Sequence, residues 1–181
     1  MSIFTSTLRV SPLSDGSTWV LMRVFGYDVG AEDSGDHINI SIGFQTDFAS
    51  IPRPFWVILP KWGKYGNAAV VHDWLYWTQE RPRRASDEIL LEAMGVLGVG
   101  TVTRHAIFWA VRAFGWIAWL RNQADRAEGF NRVLITITDK VWEESKHCGS
   151  KAGVDEGQPQ PLLLGSHLHV RRAGELRGDR I

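Results

Sequence analysis

Apolar and polar positions alternate through residues 37–44, with Ile38, Ile40 and Ile42 on one face and Asn39 and Ser41 on the other. A period of two marks a half-buried strand. Residues 17–27, rich in Trp, Val, Leu and Phe, predict its neighbour, and the Gly/Asp/Ser stretch 30–36 predicts the turn between them. The expectation is two strands of a small antiparallel sheet. Residues 43–66 then carry Gly43, Pro52, Pro54, Pro60, Gly63 and Gly66, a density that excludes regular structure. A long ordered loop within a compact domain is more often functional than not.

The period then changes to that of helices. Residues 67–79 follow Gly66 and hold Ala68, Ala69, Val70, Val71, Leu75 and Tyr76. Residues 84–97 follow Pro82, with Ile89, Leu90, Ala93, Met94 and Leu97 at helical spacing. A third helix is predicted over 102–121, after the breaks at Gly98 and Gly100. Beyond it, residues 133–138 read as a short strand or as part of a helix reaching Lys146. From His147 onward the chain turns to Gly, Pro, Gln, Arg and Glu, which predicts a flexible tail or an arm that orders on a partner. The fold class is therefore α+β: a sheet-plus-helices core over 1–125, an extension over 126–146, and a tail over 147–181.

Composition narrows the function classes. In 181 residues, 44% hydrophobic and 11% aromatic is enough for a real core. Twenty Lys and Arg balance twenty Asp and Glu, so no bulk charge argues for nucleic acid or for an anionic membrane. Cys148 is the lone cysteine, which rules out an intrachain disulfide and thiolate zinc clusters built from two pairs. The first ten residues lack the apolar run of a signal peptide. The longest apolar candidate for a membrane span, 106–120, is interrupted by Arg112. Nine Trp, seven of them between positions 56 and 119, predict a dense core or the wall of a pocket.

Three polar clusters sit in this apolar region: Thr46-Asp47-Phe48-Ala49-Ser50, His72-Asp73-Trp74-Leu75-Tyr76, and Arg84-Ala85-Ser86-Asp87. On a helix His72 and Tyr76 share one face while Asp73 points about 100° away. Imidazole and carboxylates around a polarised water are the parts of a general-base site, with a second carboxylate fixing the tautomer. His72 is the candidate base, Asp87 its orienting carboxylate, and Tyr76 a supporting hydrogen bonder. Asp73 and Asp47 are the oxygen ligands available to a divalent cation, calcium or zinc.

Ser50, Arg84 and Arg112 are supporting candidates. Each has a plainer reading: His72 as a satisfied core residue, Asp47 opening an Asx turn that Ser50 caps, Arg84 in a surface pair with Asp87 or Glu88. On the third helix, His105, Trp109, Arg112, Trp116 and Trp119 fall close to one stripe. Such a stripe packs on the first two helices, with Arg112 paired to Asp47 or Asp87, or lies in a membrane interface.

The run Gly43-Phe44-Gln45-Thr46-Asp47-Phe48-Ala49-Ser50-Ile51-Pro52-Arg53, then Ala68-Ala69-Val70-Val71-His72-Asp73-Trp74-Leu75-Tyr76, then Arg84, Asp87 and Met94, resembles a phage and prophage family called domain of unknown function 1353. The resemblance covers residues 38–120. It implies a virion component associated with tail or baseplate, or a lysis-related protein, located in the virion or the host cytoplasm. Its partners would be other virion proteins or further copies of the chain, with bacterial envelope or lipid as a target. His-Asp-x-x-Tyr followed by Arg-x-x-Asp also looks like the helix pair of secreted phospholipase A2. That likeness implies His72 as base, Asp73 as calcium ligand, Asp87 as orienter and Tyr76 as its support. The disulfides and the Gly-rich calcium loop of that family are absent, unless residues 43–50 replace the loop. Two functions are thus expected: a virion component with a structural or metal-stapled polar site, or a metal-dependent hydrolase.

Overall fold

A computed structural model describes residues 3–48 and 65–134. Most of the predicted proline-rich loop, with Ser50 in it, lies outside the described residues, as do the tail and the extension past residue 134.

The predicted strand over 17–27 is two strands in two different sheets. Strands β1 (Ile3–Phe4), β4 (Phe25–Asp28) and β5 (His37–Ile40) form one antiparallel sheet in the order β1-β4-β5. Strands β2 (Val10–Pro12), β3 (Trp19–Leu21) and β6 (Gln45–Thr46) form the other, in the order β2-β3-β6. The break falls at residues 22–24, which lack ladder geometry although none is Gly or Pro. The alternation of 37–44 holds only through β5, where Ile38 and Ile40 are buried and His37 and Asn39 exposed; residues 41–43 turn. Gly43, at φ +82°, makes that turn, and a side chain there would meet the Leu134 carbonyl oxygen at 2.7 Å.

Helices α1 (Gly66–Thr78), α2 (Arg83–Val96) and α3 (Thr101–Ala127) stand close to their predicted bounds, α3 running six residues further at its C-terminal end. Nine residues of α1 are buried, around its whole circumference, as in a helix packed on all sides. Phe44 meets Trp74 edge-on at 5.0 Å, and Tyr27 on β4 donates to Glu92 on α2 at 2.9 Å. These contacts tie each sheet to the helical layer. After α3 the chain returns to the sheet: Val133 bridges Phe44, the Gln45 N–H donates to the Arg132 carbonyl, and the Leu134 N–H donates to Gly43. Among the described residues no helix is long and apolar enough to cross a membrane.

Candidate functional site

Four side chains from three helices converge on Asp87, which opens α2 and is fully buried. His72 Nε2 stands 3.0 Å from Asp87 Oδ1, and Tyr76 Oη donates to the same oxygen at 2.6 Å. Arg112 on α3 donates to Oδ2 at 2.7 Å, and Arg83 lies 3.6 Å from it. His72 and Tyr76 meet Asp87 together because i and i+4 share one face of α1, as their spacing predicts. Burial alone would raise the Asp87 carboxyl. Hydrogen bonds from His72, Tyr76 and Arg112 outweigh it and hold the group below the ordinary carboxylate range. Burial, then the hydrogen bond to Asp87, pushes the Tyr76 phenol well above its usual value.

In the neutral imidazole, a carboxylate at Nε2 selects the tautomer with its hydrogen there and leaves a lone pair on Nδ1. Nδ1 is buried and has no hydrogen-bond partner among the described residues. His72 shows 1% of its surface, yet it lines a pocket of about 300 Å³. Asp73 and Tyr76 from α1 share that wall, with the exposed Asp47 from the loop after β6. From α3 come Val111, Phe114, Gly115, Ile117, Ala118, Arg121 and Asn122, and Arg132 closes the circuit. Thr46 Oγ1 donates to Asp73 Oδ2 at 2.5 Å, so β6 fixes the second acid.

Helix α3 holds this arrangement from outside. Gly115 lets it approach so closely that a Cβ would stand 2.5 Å from Tyr76 Oη. Trp119 packs edge-on against Tyr76 at 5.2 Å. Asn122 donates to the Tyr76 carbonyl at 3.0 Å, and Arg126 to those of Trp77 and Thr78 at 3.2 and 2.7 Å. These donors satisfy carbonyls that the end of α1 leaves open, and the cation suits the negative end of the helix.

The predicted site residues therefore divide. His72, Tyr76, Asp87 and Arg112 form one hydrogen-bonded group, and Asp47 and Asp73 join His72 and Tyr76 in the pocket wall. Arg112 pairs with Asp87, one of its two expected partners. Arg84 stands apart: its side chain is exposed and bonds Glu88 at 2.8 Å, the plainer of its readings, while Arg83 faces Asp87. Ser50 falls outside the described residues. Sequence reasoning missed Thr46 as a partner of Asp73, and Arg121, Asn122 and Arg132 as pocket residues. It also missed Arg83, although its i,i+4 spacing to Asp87 was there to read. As for a cation, no three His, Cys, Asp or Glu side chains among the described residues come together as a metal-ligand group. Two carboxylates in one wall do not make a cage, and no chemical step below runs through a metal.

The family described as "Protein of unknown function (DUF1353)" matches residues 19–111, just over half of the chain, and the chain belongs to it. The match contains β3 to β6, α1, α2 and the first part of α3, hence His72, Tyr76, Asp87 and Asp73, but not the pocket residues beyond Val111. An uncharacterized protein of Sinorhizobium fredii, y4jT, is 33% identical over 78 residues, which are 42% of this chain and 23% of that protein. The chain thus spans about a quarter of the length of this relative. No solved structure matches significantly.

Proposed function

We propose that the chain is a hydrolase in which Nδ1 of His72 is the general base, acting in the phage or prophage setting its family resemblance implies. One observation carries the reading: the imidazole is anchored through Nε2 by a buried carboxylate while Nδ1, on a residue that lines the pocket, has no partner among the described residues. A buried acceptor left unsatisfied costs about 1–3 kcal/mol, which a pocket water or a substrate hydrogen relieves.

In the proposed reaction Nδ1 takes a proton from a water, and the water oxygen bonds to the carbonyl carbon of an ester. The ester C–O bond then breaks, and the proton passes from Nδ1 to the departing alkoxide. Asp87 supports the imidazolium, with Tyr76, Arg112 and Arg83 supporting Asp87 in turn. Arg121 and Arg132 are the cationic groups available to the oxyanion.

The test is turnover of p-nitrophenyl acyl esters and of fluorogenic phospholipid vesicles by wild type and His72→Asn. Wild type is expected to hydrolyse at least one, and His72→Asn to lose about 10²–10⁴-fold with its fold intact. Background rates for wild type throughout, or equal rates for the variant, would overturn the reading.

A second reading rests on burial. His72 and Asp87 show 1% and 0% of their side chains, so the same network also suits a structural staple in a tail or baseplate component. On that reading His72→Ala lowers the melting temperature and leaves turnover at background in both proteins.

A further inference from the structure

The outer face of α3 is apolar, and nothing among the described residues covers it. Val102 is 85% exposed, Trp109 66%, Trp116 51%, Ile117 50% and Leu120 52%. Val102, Trp109, Trp116 and Leu120 follow at spacings of seven, seven and four, with Ile117 beside Trp116, which places them along one side of the helix over about 27 Å. Packing on the first two helices was one expectation for the Trp stripe. It holds for Trp119, against Tyr76, and fails for Trp109 and Trp116. Soluble surfaces rarely carry an apolar strip of this extent unless something docks on it.

Charge chooses the occupant. From Thr101 to Ala124 the helix contains no Asp or Glu, whereas Arg104, His105, Arg112 and Arg121 are basic. Arg112 is committed to Asp87; Arg121 and His105 are exposed. Exposed Trp rings among basic residues suit the boundary of an anionic bilayer, where the ring sits at headgroup level. A second copy fits less well, because pairing two such helices sets basic side chains against basic ones with no carboxylate between them. Phe114, Ile117, Ala118 and Arg121 also line the pocket, so the strip is continuous with the pocket rim.

We propose that the outer face of α3 docks on an anionic lipid surface, bringing the His72 pocket to the lipid. This deepens the hydrolase reading by naming lipid esters as its substrate class, but docking itself needs no turnover, so the two fail separately.

The experiment is flotation of the full chain with vesicles of mixed zwitterionic and anionic phospholipid, and with purely zwitterionic vesicles. Tryptophan emission is read alongside, with brominated lipid as quencher. Wild type is expected to float with the anionic vesicles, with blue-shifted and quenched emission, and to be released by high salt. A Trp109→Ser/Trp116→Ser variant, with wild-type circular dichroism, is expected to lose at least about tenfold in affinity. His72→Asn is expected to float like wild type whether or not the hydrolase reading survives. No flotation, unchanged flotation of the double variant, or a salt-stable dimer that this variant dissociates would overturn the proposal. The last result would assign the face to a second copy.

Discussion

Two histidine–aspartate pairs occur among the described residues, and they differ in what surrounds them. His37 Nδ1 lies 2.5 Å from Asp28 Oδ1 across β4 and β5, with the His37 side chain 41% exposed. His72 Nε2 lies 3.0 Å from Asp87 Oδ1, and both side chains are sealed. The shorter pair has the weaker claim to function. Solvent competes for His37, and the carboxylate opposite it has one further hydrogen bond, a long one of 3.4 Å from the Asp33 N–H. Asp87 instead gathers an imidazole, a phenol and two guanidinium groups, and the other nitrogen of its histidine has no partner among the described residues. Distance alone does not single out a candidate site; a buried network that leaves one polar atom unmet on a pocket-lining residue is the better candidate.

Removing the carboxylates should separate the pairs most. Asp87→Ala strands Arg112 and Arg83 together with His72 and Tyr76, and leaving buried partners uncompensated costs about 3–5 kcal/mol. Urea denaturation followed by circular dichroism is expected to show a loss of that size. A loss under about 1 kcal/mol would mean that the Asp87 network is solvated and equivalent to the His37 pair.

Gly115→Ala is the next sharpest test, because two effects oppose each other. Helix propensity favours alanine over glycine by about 1 kcal/mol in a helix interior. Against that, the new Cβ would stand 2.5 Å from Tyr76 Oη and 3.3 Å from the ring carbon carrying it. A tyrosine ring hydrogen-bonded to Asp87 and packed on Trp119 has little room to yield, and overpacking costs about 1–3 kcal/mol. Net destabilisation is expected, together with slower turnover in any assay that wild type passes. A stabilised variant would show that α3 can move away from α1 freely.

Legibility followed the range of the interactions involved. The three helices were readable because α2 and α3 carry apolar spacing, α1 is a nearly continuous apolar run, and Gly66, Pro82, Gly98 and Gly100 punctuate them. The His72–Tyr76–Asp87 group was readable for the same reason: i,i+4 on one helix, then a carboxylate at the start of the next. The split of residues 17–27 into two sheets was hidden because residues 22–24 carry no turn-forming residue. Thr46 and Arg132 reach the site only through sheet pairing and the return of the chain after α3, and no local pattern encodes either. Arg83 and Arg84 are neighbours of one type; about 100° of helical rotation sends one to Asp87 and the other to solvent.

Acid sharpens the comparison further. The Asp87 carboxyl is depressed in the folded protein, so its stabilisation is present above the ordinary carboxylate value of 3.8 and is lost as pH falls through the lower folded value. Wild type should therefore lose stability steeply below about pH 3.8, and Asp87→Asn should lose less over the same interval. Asp15 shares this acid window. Burial works against its ionisation, but hydrogen bonds from Thr18 and Ser17 prevail and lower it to about 2. An Asp15→Asn control separates that turn from the buried network. Parallel acid limbs for wild type and Asp87→Asn would remove Asp87 from the account of acid unfolding.

The smallest effect belongs to the pair whose histidine is exposed. Asp28 is lowered first by its hydrogen bond from His37, then, against the opposing effect of burial, by the Asp33 N–H. Its contribution therefore also fades as pH falls below the ordinary carboxylate value. With the His37 side chain 41% exposed, that contribution is screened by solvent and salt. Asp28→Asn keeps the shape of the side chain and its capacity to accept from His37. Its denaturation midpoint at neutral pH is expected to stay close to wild type and to respond little to added salt. A midpoint shift rivalling that of Asp87→Ala would break the comparison, because burial would then no longer distinguish one histidine–aspartate pair from the other.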